Sequence, residues 1–325
     1  MRKYNENTKE GVSMWDVILD KYQVRKSNQE KSQFIEYIKE RLKNAGYEED
    51  DITIEEKGKG LLKSRNIVVG DVKDAKVVLT AHYDTCAVLP FPNFMAPTSV
   101  TLFAISQVVV MFIIIAIAFA CGLVMTLISG ETTLGASVTL LSFYVLLFHM
   151  LFGYRNKHTA NDNTSGVVAI TRILENLSSE ERKKVCAVYF DNEEKGLLGS
   201  EFFKKKHKDA MKDKFLVNMD CVGDGHNMVV LTDSKMKEHE LCQNLLMAMQ
   251  ENSVRYDVKF IHSKLRKLMF PSDQLHFAKG IGICALRDSA VGMYVARIHT
   301  PLDTICRREN IEYLRDSIQH FIRML

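Results

Sequence analysis

Along most of this 325-residue chain, short apolar runs alternate with segments whose apolar residues recur at helical spacing. Residues 66–70 and 76–81 are apolar runs between polar turns and predict strands. Residues 185–190 and 215–219 are almost continuously apolar, the pattern of strands buried on both faces, and 282–286 predicts a further strand. Segments 34–42, 166–177, 197–207, 241–249 and 310–325 read as helices. Strands interleaved with helices predict a layered α/β fold with a largely parallel sheet.

The pattern changes between residues 98 and 154. From Thr85 to Tyr154 the sole Asp, Glu, Lys or Arg is Glu131. Residues 98–130 and 134–154 are uncharged runs, each long enough for the roughly 20 residues with which a helix crosses hydrocarbon. The link Ser129-Gly130-Glu131-Thr132-Thr133 is short and holds a glycine, so the two helices form a hairpin whose ends return to one side. The alternative is a pair of buried core helices or an apolar dimer interface, but core helices rarely run so long without a charge. The link carries no Lys or Arg, whereas Arg155 and Lys157 follow the second run. Positive residues stay on the cytoplasmic side, so the chain is expected to be integral to the cell membrane with its bulk facing the cytoplasm. The first 40 residues lack the apolar stretch of a signal peptide, and no cleaved leader is expected. The predicted organisation is one discontinuous domain, 1–97 with 155–325, interrupted by a transmembrane hairpin over 98–154.

Charge and cysteine content narrow the classes of function. Lys and Arg number 43 against 40 Asp and Glu, a balance that argues against a nucleic-acid partner. The seven cysteines form no C-x-x-C pair, which excludes a disulfide framework and a thiolate zinc site and fits buried thiols in a reducing compartment.

The chemistry gathers where predicted strands end. His82-Tyr83-Asp84 follows one, Asp191-Asn192-Glu193-Glu194 a second and Asp220 a third. In α/β sheets, ligands bind at the carboxyl ends of strands. Two polar loops add Asn161-Asp162-Asn163-Thr164-Ser165-Gly166 and His299-Thr300-Pro301-Leu302-Asp303-Thr304. Each piece alone could be a helix cap or a solvated turn. Together they offer imidazoles and carboxylates without thiolates, a set suited to zinc or a similar divalent metal in a catalytic role.

In this order the five motifs resemble metallopeptidase family twenty-eight, which includes bacterial leucyl aminopeptidase, aminopeptidase Y and glutamate carboxypeptidase. The resemblance spans about residues 30–325 apart from the hairpin. It implies a three-layer αβα sandwich with a mostly parallel mixed sheet, two Zn2+ per chain and a peptide substrate. It implies that His82, Asp162 and Asp220 ligate one zinc and Asp162, Glu194 and His299 the other, with Asp162 bridging. Glu193 would be the general base, and Asp84 would orient the His82 ring. Ser272-Asp273 resembles a further family element in which Gln274 stands where the family has His. For an oxyanion donor, proximity to His299 suggests Tyr294.

The resemblance implies peptide hydrolysis, most simply an aminopeptidase-type exopeptidase. Water activated by two metals would attack the scissile carbonyl, Glu193 shuttling the proton. Glutaminyl cyclases share the fold and many motifs with a single zinc, so an acyltransferase is one alternative. A non-catalytic binding protein on the same fold is another, although such proteins lose ligands that are all present here. The hairpin lies between the first ligand and the bridging one, which would place the catalytic edge at or close above the bilayer. The oligomeric state is left open.

Overall fold

A nine-stranded mixed sheet organises the chain. The computed structural model describes residues 14–325 except 90, 92, 94 and 265–268, so the first thirteen residues of the expected domain lie outside the described ones. Helices α1 (Met14–Lys21) and α2 (Asn28–Asn44) precede β1 (Ile52–Lys57), β2 (Ser64–Val69) and β3 (Val77–His82). The chain then leaves the sheet as two long helices, α3 (Val100–Ser129) and α4 (Thr132–Phe152). It returns as α5 (Gly166–Glu175), α6 (Ser179–Arg182), β4 (Val185–Phe190), α7 (Leu198–Lys206), β5 (Phe215–Met219), β6 (Asn227–Thr232) and α8 (Glu240–Ser253). Strands β7 (Lys259–Lys264), β8 (Gly280–Ser289) and β9 (Gly292–Tyr294) and helix α9 (Arg308–Arg323) complete it.

The sheet runs β1-β2-β4-β3-β5-β8-β6-β7, with β9 paired to β8. Its centre, β4-β3-β5-β8, is parallel, and β1, β2 and the β6–β8 pairing are antiparallel. Alternation along the strands fills two cores. Val77, Leu79 and Ala81 of β3 face α2, α5, α8 and α9, whereas Val78 joins Cys186, Val188 and Phe190 against Phe203 of α7. Both faces are therefore covered, as a parallel centre requires. Helix α2 starts at a capping box: Ser27 Oγ accepts from Glu30 N at 3.2 Å and a Glu30 carboxylate oxygen from Ser27 N at 2.8 Å. Such a cap is worth about 1 kcal/mol.

The hairpin is a different kind of structure. Helices α3 and α4, 30 and 21 residues long, are long and apolar enough to cross a membrane by length and composition. Most of their apolar side chains face outward, Phe112, Leu127 and Ile128 among them. The helices meet at two glycines. A Cβ on Gly122 would lie 2.5 Å from Gly135 O, and one on Gly135 would lie 2.8 Å from Gly122 O. Four residues on from each glycine, a threonine hydroxyl donates back to its carbonyl, Thr126 to Gly122 at 3.1 Å and Thr139 to Gly135 at 3.2 Å. Small residues at this spacing let helix backbones approach closely where no hydrophobic drive assists them. At its root the hairpin packs Val110, Ile114, Phe143 and Leu147 onto Leu89 and Phe91.

Candidate metal centre

The parallel register puts the expected residues on one edge. In β3, His82 is level with Phe190, the last residue of β4, and Thr80 is level with Asn218 near the end of β5. The residues that follow, Asp84, Asp191 to Glu194 and Asp220, therefore emerge together. The loop 160–165 and the segment around His299 close over them. All seven residues expected from the sequence converge here.

Asp162 lies at the centre. Its Oδ1 is 3.3 Å from His82 Nε2, which is 3.5 Å from Asp220 Oδ1. Its Oδ2 is 3.1 Å from His299 Nε2, which is 3.3 Å from Glu194 Oε2. One carboxylate thus faces two separate pairs of donors with its two oxygens. Glu193 stands beside the first pair, its carboxylate within 4.8 Å of the His82 and Asp220 donor atoms.

Asp84 acts chiefly on the neighbouring backbone. Its Oδ1 accepts from Glu193 N at 2.9 Å and its Oδ2 from Glu194 N at 3.3 Å. His82 Nδ1 lies 3.2 Å from the Asp84 carbonyl oxygen and 3.6 Å from its carboxylate. Asp84 thus adjoins the imidazole, as expected, and also fixes the two glutamates.

The sequence reading gave no role to Asp303, within the His299 motif. Its carboxylate accepts from Asn161 N at 2.7 Å and Asp162 N at 3.0 Å, holding the loop that presents Asp162. Asn161 Oδ1 in turn accepts from Gly223 N and Asp224 N at 2.8 and 2.9 Å. Two buried cations also went unread. The Arg25 side chain donates to the carbonyls of Tyr22 and Tyr83 and to Thr164 Oγ1, and Lys31 Nζ donates to Asp191 and Asn192. Two buried thiols border the donors, Cys86 beside Glu194 and His299 and Cys221 beside Asp162 and Asp220.

Two expectations change. Tyr294 lines a separate cavity with Leu89, Phe91 and Arg297, whereas Val295, Ile298 and His299 line the metal-centre cavity. Successive residues of an extended segment point to opposite sides, which turns Tyr294 away from the site. Gln274, where the family has His, accepts from Asn218 Nδ2 at 2.8 Å and donates to Phe270 O at 3.1 Å. It serves as a buried node beneath the site.

The electrostatics favour a cation. Burial pushes the Glu194 carboxyl up to about 8, partly opposed by His299, and pushes Glu193 well above the carboxylate range. Burial opposes charge on His299, but Glu194 and Asp162 outweigh it and raise the imidazole to about 9. For His82, burial is likewise overcome by Glu193 and by the nearby carboxylates of Asp162, Asp220 and Asp84. The cluster gathers more carboxylates than imidazoles and retains protons for want of positive charge. Among the described residues, buried Glu194 Oε1 and Asp220 Oδ1 have no hydrogen-bond partner, a costly state that a bound cation relieves. Nitrogen and oxygen ligands of a tetrahedral zinc lie about 3.3–3.6 Å apart. The donor separations here run from 3.1 to 3.5 Å, so the residues fit such a metal.

The donors open into a cavity of about 410 Å³ walled by Met95, Leu197, Phe270, Pro271, Val295 and Ile298. Four non-glycine residues around it, Asn192, Leu197, Cys221 and His299, have φ between 55° and 61°. Each such conformation costs on the order of 1 kcal/mol and is typical of functional sites.

Solved structures with this fold include the LapA aminopeptidase of Legionella pneumophila, with a TM-score of 0.53 and 15% identity over 95% of this chain and 69% of that one. Glutaminyl cyclase of Tannerella forsythia matches with a TM-score of 0.57 and 18% identity over 94% of each chain. A Zn-dependent exopeptidase from Parabacteroides distasonis gives 0.54 and 16% over 94% of this chain and 93% of that one. Likeness at these identities establishes the fold, while function rests on the site. No curated protein matches the sequence. The sequence model of peptidase family M28 matches residues 147–321, more than half of the chain, and with the fold and the donor cluster this places the chain in peptidase family M28.

Proposed function

We propose that the chain is a zinc aminopeptidase that binds two Zn2+ and is anchored in the cell membrane by residues 98–154, with the peptidase domain, 1–97 and 155–325, in the cytoplasm. The observation that carries the two-metal reading is the Asp162 carboxylate, whose oxygens face His82 with Asp220 on one side and His299 with Glu194 on the other. Asp162 is assigned as the bridge, and the other four as ligands of one metal each. Bound zinc would supply Lewis acidity, lowering the pKa of a water and polarising the scissile carbonyl.

The chain's own residues do the rest. Glu193, assigned to neither donor pair, takes the proton of the attacking water and returns it to the leaving amine. Asp84 holds Glu193 and Glu194 through their backbone N–H groups, which fixes the base against the donors. The apolar wall lowers the local dielectric and strengthens these interactions. A cavity of about 410 Å³ lies near the small end for ligand pockets and suits a terminal residue better than an extended peptide, in keeping with an exopeptidase.

The membrane reading is supported by α3 and α4, whose apolar faces lie largely uncovered. The decisive experiment combines zinc analysis of detergent-solubilised protein with a screen of aminoacyl and dipeptide substrates, with added zinc and with chelator. Two zinc per chain and chelator-sensitive release of amino-terminal residues are expected. One zinc per chain with cyclisation of amino-terminal glutamine would replace this reading with a glutaminyl-cyclase-like acyltransferase. Zinc binding without turnover would favour a binding protein.

A further inference from the structure

The last residue of β1 and the loop to β2 read Lys57-Gly58-Lys59-Gly60-Leu61-Leu62-Lys63, three lysines and two leucines without an acid. Its leucines face solvent, Leu61 at 69% and Leu62 at 52% exposure. The turn that projects them is built rather than slack. Gly58 has φ +83, and a Cβ there would meet Leu62 O at 2.7 Å, so only glycine closes the loop this tightly.

The position of this loop gives the exposed leucines a meaning. Lys195 Nζ donates to Leu61 O at 2.7 Å and lies 6.0 Å from the ring centroid of Phe152, the last residue of α4. The loop tip is therefore level with the end of the hairpin from which the domain hangs. Basic residues outnumber acids around that end: Lys26 Nζ donates to Leu151 O at 3.1 Å, and Arg155, paired with Glu30, and Lys157 follow α4. Tyr154 beside them is 82% exposed, a placement favoured for aromatic residues at a membrane surface.

The geometry points to the 57–63 segment as a second membrane contact, one that sets Leu61 and Leu62 into the interface of an anionic bilayer while Lys59 meets lipid phosphates, joined by Lys57, which rests over the Phe202 ring, and by Lys63, which is paired with Glu56 at 2.9 Å. This rests on the reading of α3 and α4 as membrane spans. Two apolar side chains with flanking lysines are a weak anchor alone. Next to an existing anchor they are enough to fix orientation, because the loop is already at the surface. The domain is then held at two points, with Lys195 between them, immediately after the Glu193-Glu194 pair. The metal centre, whose Glu193 and Glu194 directly precede Lys195, is thereby held near the lipid, and the substrates best placed to reach it are peptides whose amino termini lie at the bilayer surface.

The test uses the full chain in liposomes. Trp15, the single tryptophan, is replaced by Phe, and Leu62→Trp provides a reporter, with Leu61→Trp as an independent second one. Quenching by lipids brominated near the headgroup end of the acyl chain is measured in phosphatidylglycerol-containing and in purely phosphatidylcholine vesicles. Carbonate resistance is measured on the same samples. Quenching severalfold stronger with the anionic lipid, and reduced to the phosphatidylcholine level by Lys57→Glu with Lys59→Glu, is the expected result. No quenching of either reporter in carbonate-resistant vesicles overturns the loop contact and leaves the spans standing. Quenching indifferent to lipid charge overturns the role given to the lysines. Release of the chain by carbonate overturns both the spans and the loop contact.

Discussion

The backbone N–H of Leu89 donates to the carbonyl oxygen of His299 at 2.7 Å. Leu89 belongs to the strap that leads from β3 into the hairpin, and its side chain packs against Ile114 of α3. One residue thus ties the root of the hairpin to a proposed zinc ligand held at φ 61. Leu89→Pro, which removes the N–H, should weaken zinc at the His299 side by about tenfold, the value of roughly one buried hydrogen bond. Leu89→Ala should leave it nearly unchanged. Zinc titration of the two variants measures the difference, and equal affinities would show that the bond does not position His299.

Glu193→Gln keeps the shape of the side chain and removes its capacity to accept a proton. Turnover should fall on the order of a thousandfold or more, with zinc content retained. Glu194→Gln should lose metal. Paired assays of rate and zinc content distinguish the two roles, and the opposite pattern would exchange them.

The two-sided contacts of Asp162 make a stoichiometric prediction. Asp162→Asn should impair both zinc sites, whereas His82→Ala should empty mainly one. Metal analysis by mass spectrometry decides the matter. Loss of a single zinc in both variants would remove Asp162 from the bridging position.

Zinc uptake should release protons. Glu194 at about 8 and His299 at about 9 still hold protons at neutral pH when no metal is bound. Zinc competes with those protons, so its apparent affinity should weaken as pH falls from about 9 to 6, by about tenfold per pH unit for each proton displaced. Calorimetry at pH 7 in buffers of different ionisation enthalpy reads the number directly. A heat independent of buffer would contradict it.

Topology is tested by cysteine scanning in intact cells. Thr132→Cys, at the start of α4, should react with an impermeant thiol reagent from outside. Lys157→Cys, exposed just beyond the hairpin, should react only after permeabilisation. The reverse pattern would place the peptidase domain outside the cell.

Much of the site was legible because the chemistry sits immediately after apolar strands. Phe190 ends an uninterrupted apolar run and Met219 one broken by Asn218 alone, and the carboxylates that follow them announce themselves by contrast. The periphery was harder. Strand β1 is an edge strand in which just Ile52 and Glu55 are buried, and β7 has no buried residue, so neither carries a strong apolar signal. Strand β6 is fully buried, but its run is short and stands apart from the motifs. The supports of the site were illegible for another reason. Arg25 and Lys31 reach Thr164 and Asp191 across 139 and 160 residues of sequence, a pairing that only the fold brings about. Asp303 was visible within its motif, but its two bonds to the backbone of Asn161 and Asp162 were not.

The order of strands in the sheet bears on how the protein is made. Strand β3 carries His82, yet both of its neighbours, β4 and β5, are encoded after the hairpin, and β2 also waits for β4. At ordinary rates of translation β3 emerges roughly 5–20 s before β4. During that interval the ribosome delivers α3 and α4, the most apolar part of the chain. On the reading of α3 and α4 as membrane spans, their insertion would precede closure of the central sheet, and the metal centre would assemble on a chain already anchored.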